Sequence, residues 1–197
     1  VPAPIADRKL SIGIDRRRSF FCEGSIAPLA SPSMSKIDVY LLRHEAADDA
    51  PYDDHRALTG EGRARMRRTG ALFAVEMRRL DVIYTSPLVR AVQTAELLAG
   101  AIGFDEPLLV APELAQPPTL DALVRLIDDT HAATRGVALV GHEPILGALV
   151  GRLLGGPPHA FARGEIVALE RDRASRHTQL LWRIRPEGPE KTHDLDR

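Results

Sequence analysis

Lys36-Ile37-Asp38-Val39-Tyr40-Leu41-Leu42-Arg43-His44 is a short β-rich run that ends on a guanidinium and an imidazole. Ile37 to Leu42 reads as a strand, and the polar pair sits where that strand stops. Downstream, segment types alternate. Leu58 to Leu80 reads as a helix, because Met66, Gly70, Phe73, Met77 and Leu80 recur at helical spacing. Thr59 is its expected N-cap, with Glu61 in the first turn, and Arg63, Arg65, Arg67 and Arg68 form a solvated outer face. Asp81 to Tyr84 is a second strand, and Ser86-Pro87 reads as N-cap and first residue of a helix reaching about Ala101. Leu108 to Val110 suggests a third strand, Thr119 to His131 a helix, Val137 to Val140 a buried strand, and Pro144 to Leu154 a helix closed by Gly155-Gly156. Two further strands are expected at Glu165 to Leu169 and Gln179 to Ile184. This order predicts an α/β fold, a three-layer α/β/α sandwich with a mainly parallel central sheet.

Composition narrows the function classes. With 197 residues, 44% hydrophobic and 27% charged, the chain matches one globular core. The 26 basic and 27 acidic residues leave a formal charge of -1, so no global field favours nucleic acid or an anionic membrane. The most apolar region, Val137 to Gly156, is interrupted by His142, Glu143 and Arg152, which argues against a membrane span. A single cysteine, Cys22, excludes an internal disulfide framework and any zinc site built from several thiolates, and it suits a cytoplasmic location. Residues 1–34 carry Pro2, Pro4, Pro28 and Pro32 around a basic cluster at Arg16, Arg17 and Arg18, without periodicity or the continuous apolar core of an export signal. They are expected to be a disordered extension of a domain spanning 35–186, with 187–197 a charged tail.

In a sheet of this kind ligands collect beyond the carboxyl ends of the strands. There the chain places Arg43-His44, then Ser86-Pro87-Leu88-Val89-Arg90, then Gly141-His142-Glu143-Pro144. Guanidinium forks and helix N-termini both favour a small anion, so the residues point to a phosphate pocket holding two imidazoles. The acidic group Glu45, Asp48, Asp49, Asp53 and Asp54, beside His44 and His55, matches no metal-ligand spacing and reads as a solvated loop. Neither a metal nor a cofactor is expected, and no glycine-rich dinucleotide turn or P-loop is present in the sequence.

Leu41-Leu42-Arg43-His44, Leu58-Thr59-Gly60-Glu61-Gly62, Thr85-Ser86-Pro87-Leu88-Val89-Arg90-Ala91-Val92-Gln93-Thr94-Ala95 and Val140-Gly141-His142-Glu143-Pro144 together resemble the histidine phosphatase superfamily, the clan of the cofactor-dependent phosphoglycerate mutases. The short domain, without long insertions, is most similar to the SixA-type phosphohistidine phosphatases. The resemblance implies a phosphoglycerate mutase-like fold, His44 as nucleophile, and Arg43, Arg90 and His142 around the transferred phosphoryl group, with Ser86 as a further substrate contact. Glu45 stands where the family often has glycine or alanine; Glu45, Glu113 and Glu143 are the candidate proton donors. The implied substrate is a phosphorylated protein histidine or another small phosphate compound. A small-molecule phosphomonoesterase and a non-catalytic phosphate-binding module stay open as alternatives.

Overall fold

The computed structural model describes residues 35–115, 119–186, 188–193 and 195; the expectations for residues 1–34 lie outside the described residues. β1 (Lys36–Arg43) is buried along both faces, because it lies inside the sheet and is flanked by β4 (Gly136–Gly141) and β5 (Ile166–Asp172). With β2 (Val82–Thr85), β3 (Leu109–Val110), β6 (Thr178–Arg185) and β7 (Gly188–Thr192), the strands form one seven-stranded sheet in the order β3-β2-β4-β1-β5-β6-β7. β3, β2, β4 and β1 pair in parallel, whereas β5, β6 and β7 join antiparallel. Five of the seven strands therefore run in one direction, and β5 and β7 oppose them.

The pleat of β1 sorts its side chains between two cores. Ile37, Val39 and Leu41 join Leu123 and Ile127 of α3 (Leu120–Asp128) and Leu146, Leu149 and Val150 of α4 (Ile145–Leu154). Tyr40 and Leu42 join Met66 and Phe73 of α1 (Gly60–Glu76) and Ala91, Ala95 and Leu98 of α2 (Val89–Ile102). Helices thus cover both faces, as the alternating sequence pattern implies, and a fully buried leucine or phenylalanine here contributes roughly 1.5–3 kcal/mol. None of the described helices is long and apolar enough to cross a membrane.

The element ends differ from the pattern in four places. α1 starts as expected, with the Thr59 hydroxyl accepting from the Gly62 N–H, but stops at Glu76 because Met77 is extended; Met77 and Leu80 still reach the core from the loop. α2 starts at Val89, because Leu88 is extended and the Ser86 hydroxyl caps only the intervening turn by accepting from the Leu88 N–H. α3 stops at Asp128, three residues short of His131. Gly188–Thr192, read from sequence as tail, is an edge strand held by a ladder to β6, which a non-alternating Gly-Pro-Glu-Lys-Thr run does not advertise.

Candidate active site

Strand order brings the site together. β1, β4 and β2 are neighbours with parallel register, so the residues that follow them emerge side by side. Arg43 is level with Gly141, the His44 N–H donates to the Gly141 carbonyl at 3.0 Å, and the Ser86 N–H donates to the Val140 carbonyl at 3.0 Å. The rings of His44 and His142 end with centroids 4.8 Å apart.

His44 has a defined orientation. Its Nδ1 lies 2.6 Å from the Glu45 carbonyl oxygen, an acceptor only, so Nδ1 carries the proton and Nε2 presents a lone pair. Arg90 Nε–H points toward that lone pair at 3.4 Å. Burial, with the neighbouring charges of Arg90 and Arg43 adding to it, pulls the His44 pKa down to about 3. Burial also pulls His142 down to about 4, again helped by Arg90 and Arg43. Both imidazoles are neutral at physiological pH, and the positive charge of the site resides on the two guanidiniums.

Each arginine is fixed from a different side. Arg90 gives its outer fork to Asp53, with NH1 2.6 Å from the carbonyl oxygen and NH2 2.9 Å from Oδ2. Arg43 NH1 donates to the Phe161 carbonyl at 2.6 Å. The loop carrying Phe161 lies against α4 at Gly147, where an added Cβ would fall 1.9 Å from the His159 carbonyl oxygen, so only glycine allows this approach. The same loop is pinned by Glu165, which is fully buried and bonds His159 Nε2 at 3.0 Å and the Ala162 N–H at 2.7 Å. Arg43 Nε and His142 Nδ1 are buried and meet no hydrogen-bond partner among the described residues, an arrangement that functional sites tolerate better than cores.

Thr94 ties α2 to the turn that carries His44: its hydroxyl donates to the Arg90 carbonyl at 2.7 Å and accepts from the Glu45 N–H at 3.3 Å. Gln93 anchors the loop between β1 and α1 by accepting from the Leu58 N–H at 2.8 Å.

The structure brings Arg43, His44, Ser86, Arg90 and His142 to one end of the sheet, with Ser86 Oγ 2.8 Å from His142 Nε2. The three carboxylates expected as proton donors are placed differently. Glu45 is fully buried, and its carboxylate is taken up by Arg65 at 3.0 Å and the Ala46 N–H at 2.8 Å. Arg65, read as part of a solvated face, is thereby a partly buried ion-pair partner that also binds Glu61 at 2.6 Å. Glu143 accepts from the Gly147 N–H at 3.1 Å in the first turn of α4, and burial raises its pKa against the opposing charge of Arg43. Glu113 is exposed in the 3₁₀ turn Pro112–Leu114.

Three contributors escaped the sequence reading. Asp53 lay within the acidic loop, and only its spacing three residues before Arg56, which pairs with it at 3.4 Å, hints at a fixed conformation. The Phe161 carbonyl is backbone and carries no residue signature. Thr94 lies in the quoted third block, one turn after Arg90, which was the available signal.

Known proteins share sequence and fold with this chain. The model of the histidine phosphatase superfamily, branch 1, matches residues 39–116. An uncharacterized protein of Picosynechococcus is 39% identical over 119 residues, which is 56% of this chain and 69% of that protein. Phosphohistidine phosphatase SixA of Escherichia coli K12 is 26% identical over 153 residues, covering 76% of this chain and 94% of the relative. The solved structure of the protein histidine phosphatase SixA complexed with tungstate superposes with a TM-score of 0.72 at 25% identity, over 76% of this chain and 97% of that one. The ordered motif blocks, the sheet order and these likenesses converge: the chain belongs to the histidine phosphatase superfamily.

Proposed function

We propose that the protein is a phosphohistidine phosphatase-type hydrolase that transfers the phosphoryl group to His44 and then to water, without a metal ion. One observation carries this reading: His44 is held with Nδ1–H on the Glu45 carbonyl and a neutral Nε2 facing the Arg90 guanidinium. A neutral imidazole with a fixed tautomer is a competent nucleophile near neutral pH. Arg43 and Arg90 supply the charge that a transferring phosphoryl group needs on its equatorial oxygens. His142, held by Ser86, provides a second polar contact, and its hydrogen bond gives Ser86 a positioning role.

The substrate class follows from the carboxylates. An alkyl phosphate requires an acid to protonate its leaving oxygen, whereas a protonated phosphoimidazole releases a neutral ring. Glu45 is ion-paired, Glu143 accepts from the first turn of α4 and Glu113 is exposed, so phosphoramidates such as a protein-borne phosphohistidine are the better substrates. The raised pKa of Glu143 beside Arg43 favours one second reading, a phosphomonoesterase in which Glu143 is the acid. Kinetics on a phosphohistidine peptide, an aryl phosphate and sugar phosphates, together with trapping of an acid-labile adduct on His44, separate the two. Faster sugar-phosphate turnover that collapses in Glu143→Gln would establish the second reading.

A further inference from the structure

The acidic loop between β1 and α1 is fixed at its neck, where Ala47 bridges Leu58 and the Asp48 N–H donates to the Ala57 carbonyl at 2.8 Å. Beyond the neck, Arg56 binds the Asp48 carbonyl at 3.0 Å and the Asp53 carboxylate at 3.4 Å. The loop therefore delivers Asp53 to a defined place, with the Asp53 carboxylate on Arg90 and 64% exposed. Arg90 has His44 Nε2 on its Nε side and Asp53 on its outer fork, so one guanidinium spans the distance between nucleophile and carboxylate.

That placement has a chemical meaning if the substrate is a phosphoimidazole, and the inference rests on the phosphohistidine reading above. In an in-line transfer the leaving nitrogen stands opposite the nucleophile, with reacting atoms about 3–3.5 Å apart before attack. The leaving ring then lies one phosphoryl group away from Nε2. His44 Nε2 forms the bond to phosphorus with its lone pair, and the old phosphorus–nitrogen bond breaks with its pair returning to the leaving ring. The leaving ring departs neutral because its other nitrogen already holds a proton. His44 becomes a phosphoimidazolium that keeps Nδ1–H on the Glu45 carbonyl. Water then attacks phosphorus, giving dihydrogen phosphate and neutral His44. The two imidazoles exchange roles in the first step, and each needs an acceptor for its N–H. His44 has the Glu45 carbonyl.

We propose that Asp53 is the acceptor on the other side, a specificity-determining residue whose exposed carboxylate, beside its bonds to Arg90 and Arg56, also accepts the ring N–H of a phosphohistidine leaving group. It keeps that ring protonated, and therefore transferable, and it repels leaving groups that carry their own carboxylate.

The test is the ratio of kcat/KM for a phosphohistidine peptide to that for 4-nitrophenyl phosphate, whose leaving group has no N–H to hold. Asp53→Asn keeps an amide oxygen for Arg90 but loses the charge, and its ratio should fall at least tenfold below that of the wild-type protein. Asp53→Glu should restore most of the ratio. A ratio within twofold of wild type in Asp53→Asn, with both rates reduced alike, would show that Asp53 only orients Arg90, and would overturn the assignment while leaving the phosphohistidine reading intact. A wild-type protein that cleaves the aryl phosphate but not the phosphohistidine peptide would overturn both. Circular dichroism and thermal unfolding of each variant establish that the fold is unchanged.

Discussion

The Nδ1 nitrogen of His44 lies 2.6 Å from the carbonyl oxygen of Glu45, the next residue in the chain, so the tautomer of His44 is set by the backbone of its own turn. No titratable group is needed for that task, and the tautomer survives changes of pH. With burial holding His44 down to about 3 and His142 to about 4, neither ring should protonate across the physiological range. Nitrogen NMR of the ligand-free protein should show His44 protonated at Nδ1 alone from pH 8 to pH 5.5, flat against pH. A midpoint near the ordinary histidine value of about 6.5 would contradict this account.

The same depressed values make stability depend on pH. Between the unfolded histidine pKa of about 6.5 and the folded values, the unfolded chain binds protons that the native protein does not. Native stability therefore falls as pH drops through that window. Replacing His44 by Gln removes its share. Measured by denaturant unfolding, His44→Gln should gain on the wild-type protein by about 2 kcal/mol between pH 7 and pH 5. A difference that stays constant over this range would mean that His44 protonates normally in the folded state.

Glu45, Arg65 and Gly164 form one packed unit beside His44. Gly164 has φ +72°, and an added Cβ would lie 2.4 Å from Glu45 Oε1. Gly164→Ala thus incurs both left-handed backbone strain, about 1–2 kcal/mol, and a collision with a buried carboxylate. Arg65→Ala leaves the Glu45 charge buried without its guanidinium, which costs about 3–5 kcal/mol. In a Glu45→Ala background only the backbone term of Gly164→Ala should remain. Chemical denaturation of the four proteins in that cycle should return a coupling of about 1 kcal/mol or more between positions 45 and 164. Additive losses would mean that the two side chains do not meet.

That unit also marks where sequence reading stops. The strand ends were legible because β1, β2 and β4 each announce themselves as apolar runs, and the residues that follow them had to meet at one edge of a parallel sheet. The helix start at Thr59 was legible from its hydroxyl, which does accept from Gly62. Nothing local to Glu45 announces that Arg65 turns inward to meet it, or that Gly164 makes room for it. The contact of Arg43 with the Phe161 carbonyl depends on a loop whose path is set by the close approach at Gly147. Strand pairing is encoded in periodicity, whereas these contacts depend on tertiary packing between segments far apart in the chain.

The division of labour between imidazoles and guanidiniums yields the last prediction. His44 and His142 are neutral near pH 7, so in the proposed mechanism the phosphoryl charge falls to Arg43 and Arg90. In the proposed mechanism their placement does the work that a divalent cation performs in other phosphoryl-transfer sites. Turnover should therefore persist after exhaustive chelation, and vanadate should inhibit by filling the same pocket. Arg43→Ala and Arg90→Ala should each lower kcat/KM by about 10²–10³-fold, the size expected for loss of one preorganised donor. The two variants should differ in a second respect. Arg90 also holds Asp53 at 2.9 Å, so Arg90→Ala releases the acidic loop and should speed its hydrogen exchange, whereas Arg43→Ala should free the Phe161 loop instead. Activity that disappears with chelation and returns with one divalent ion would transfer the charge-stabilising role from these arginines to a metal.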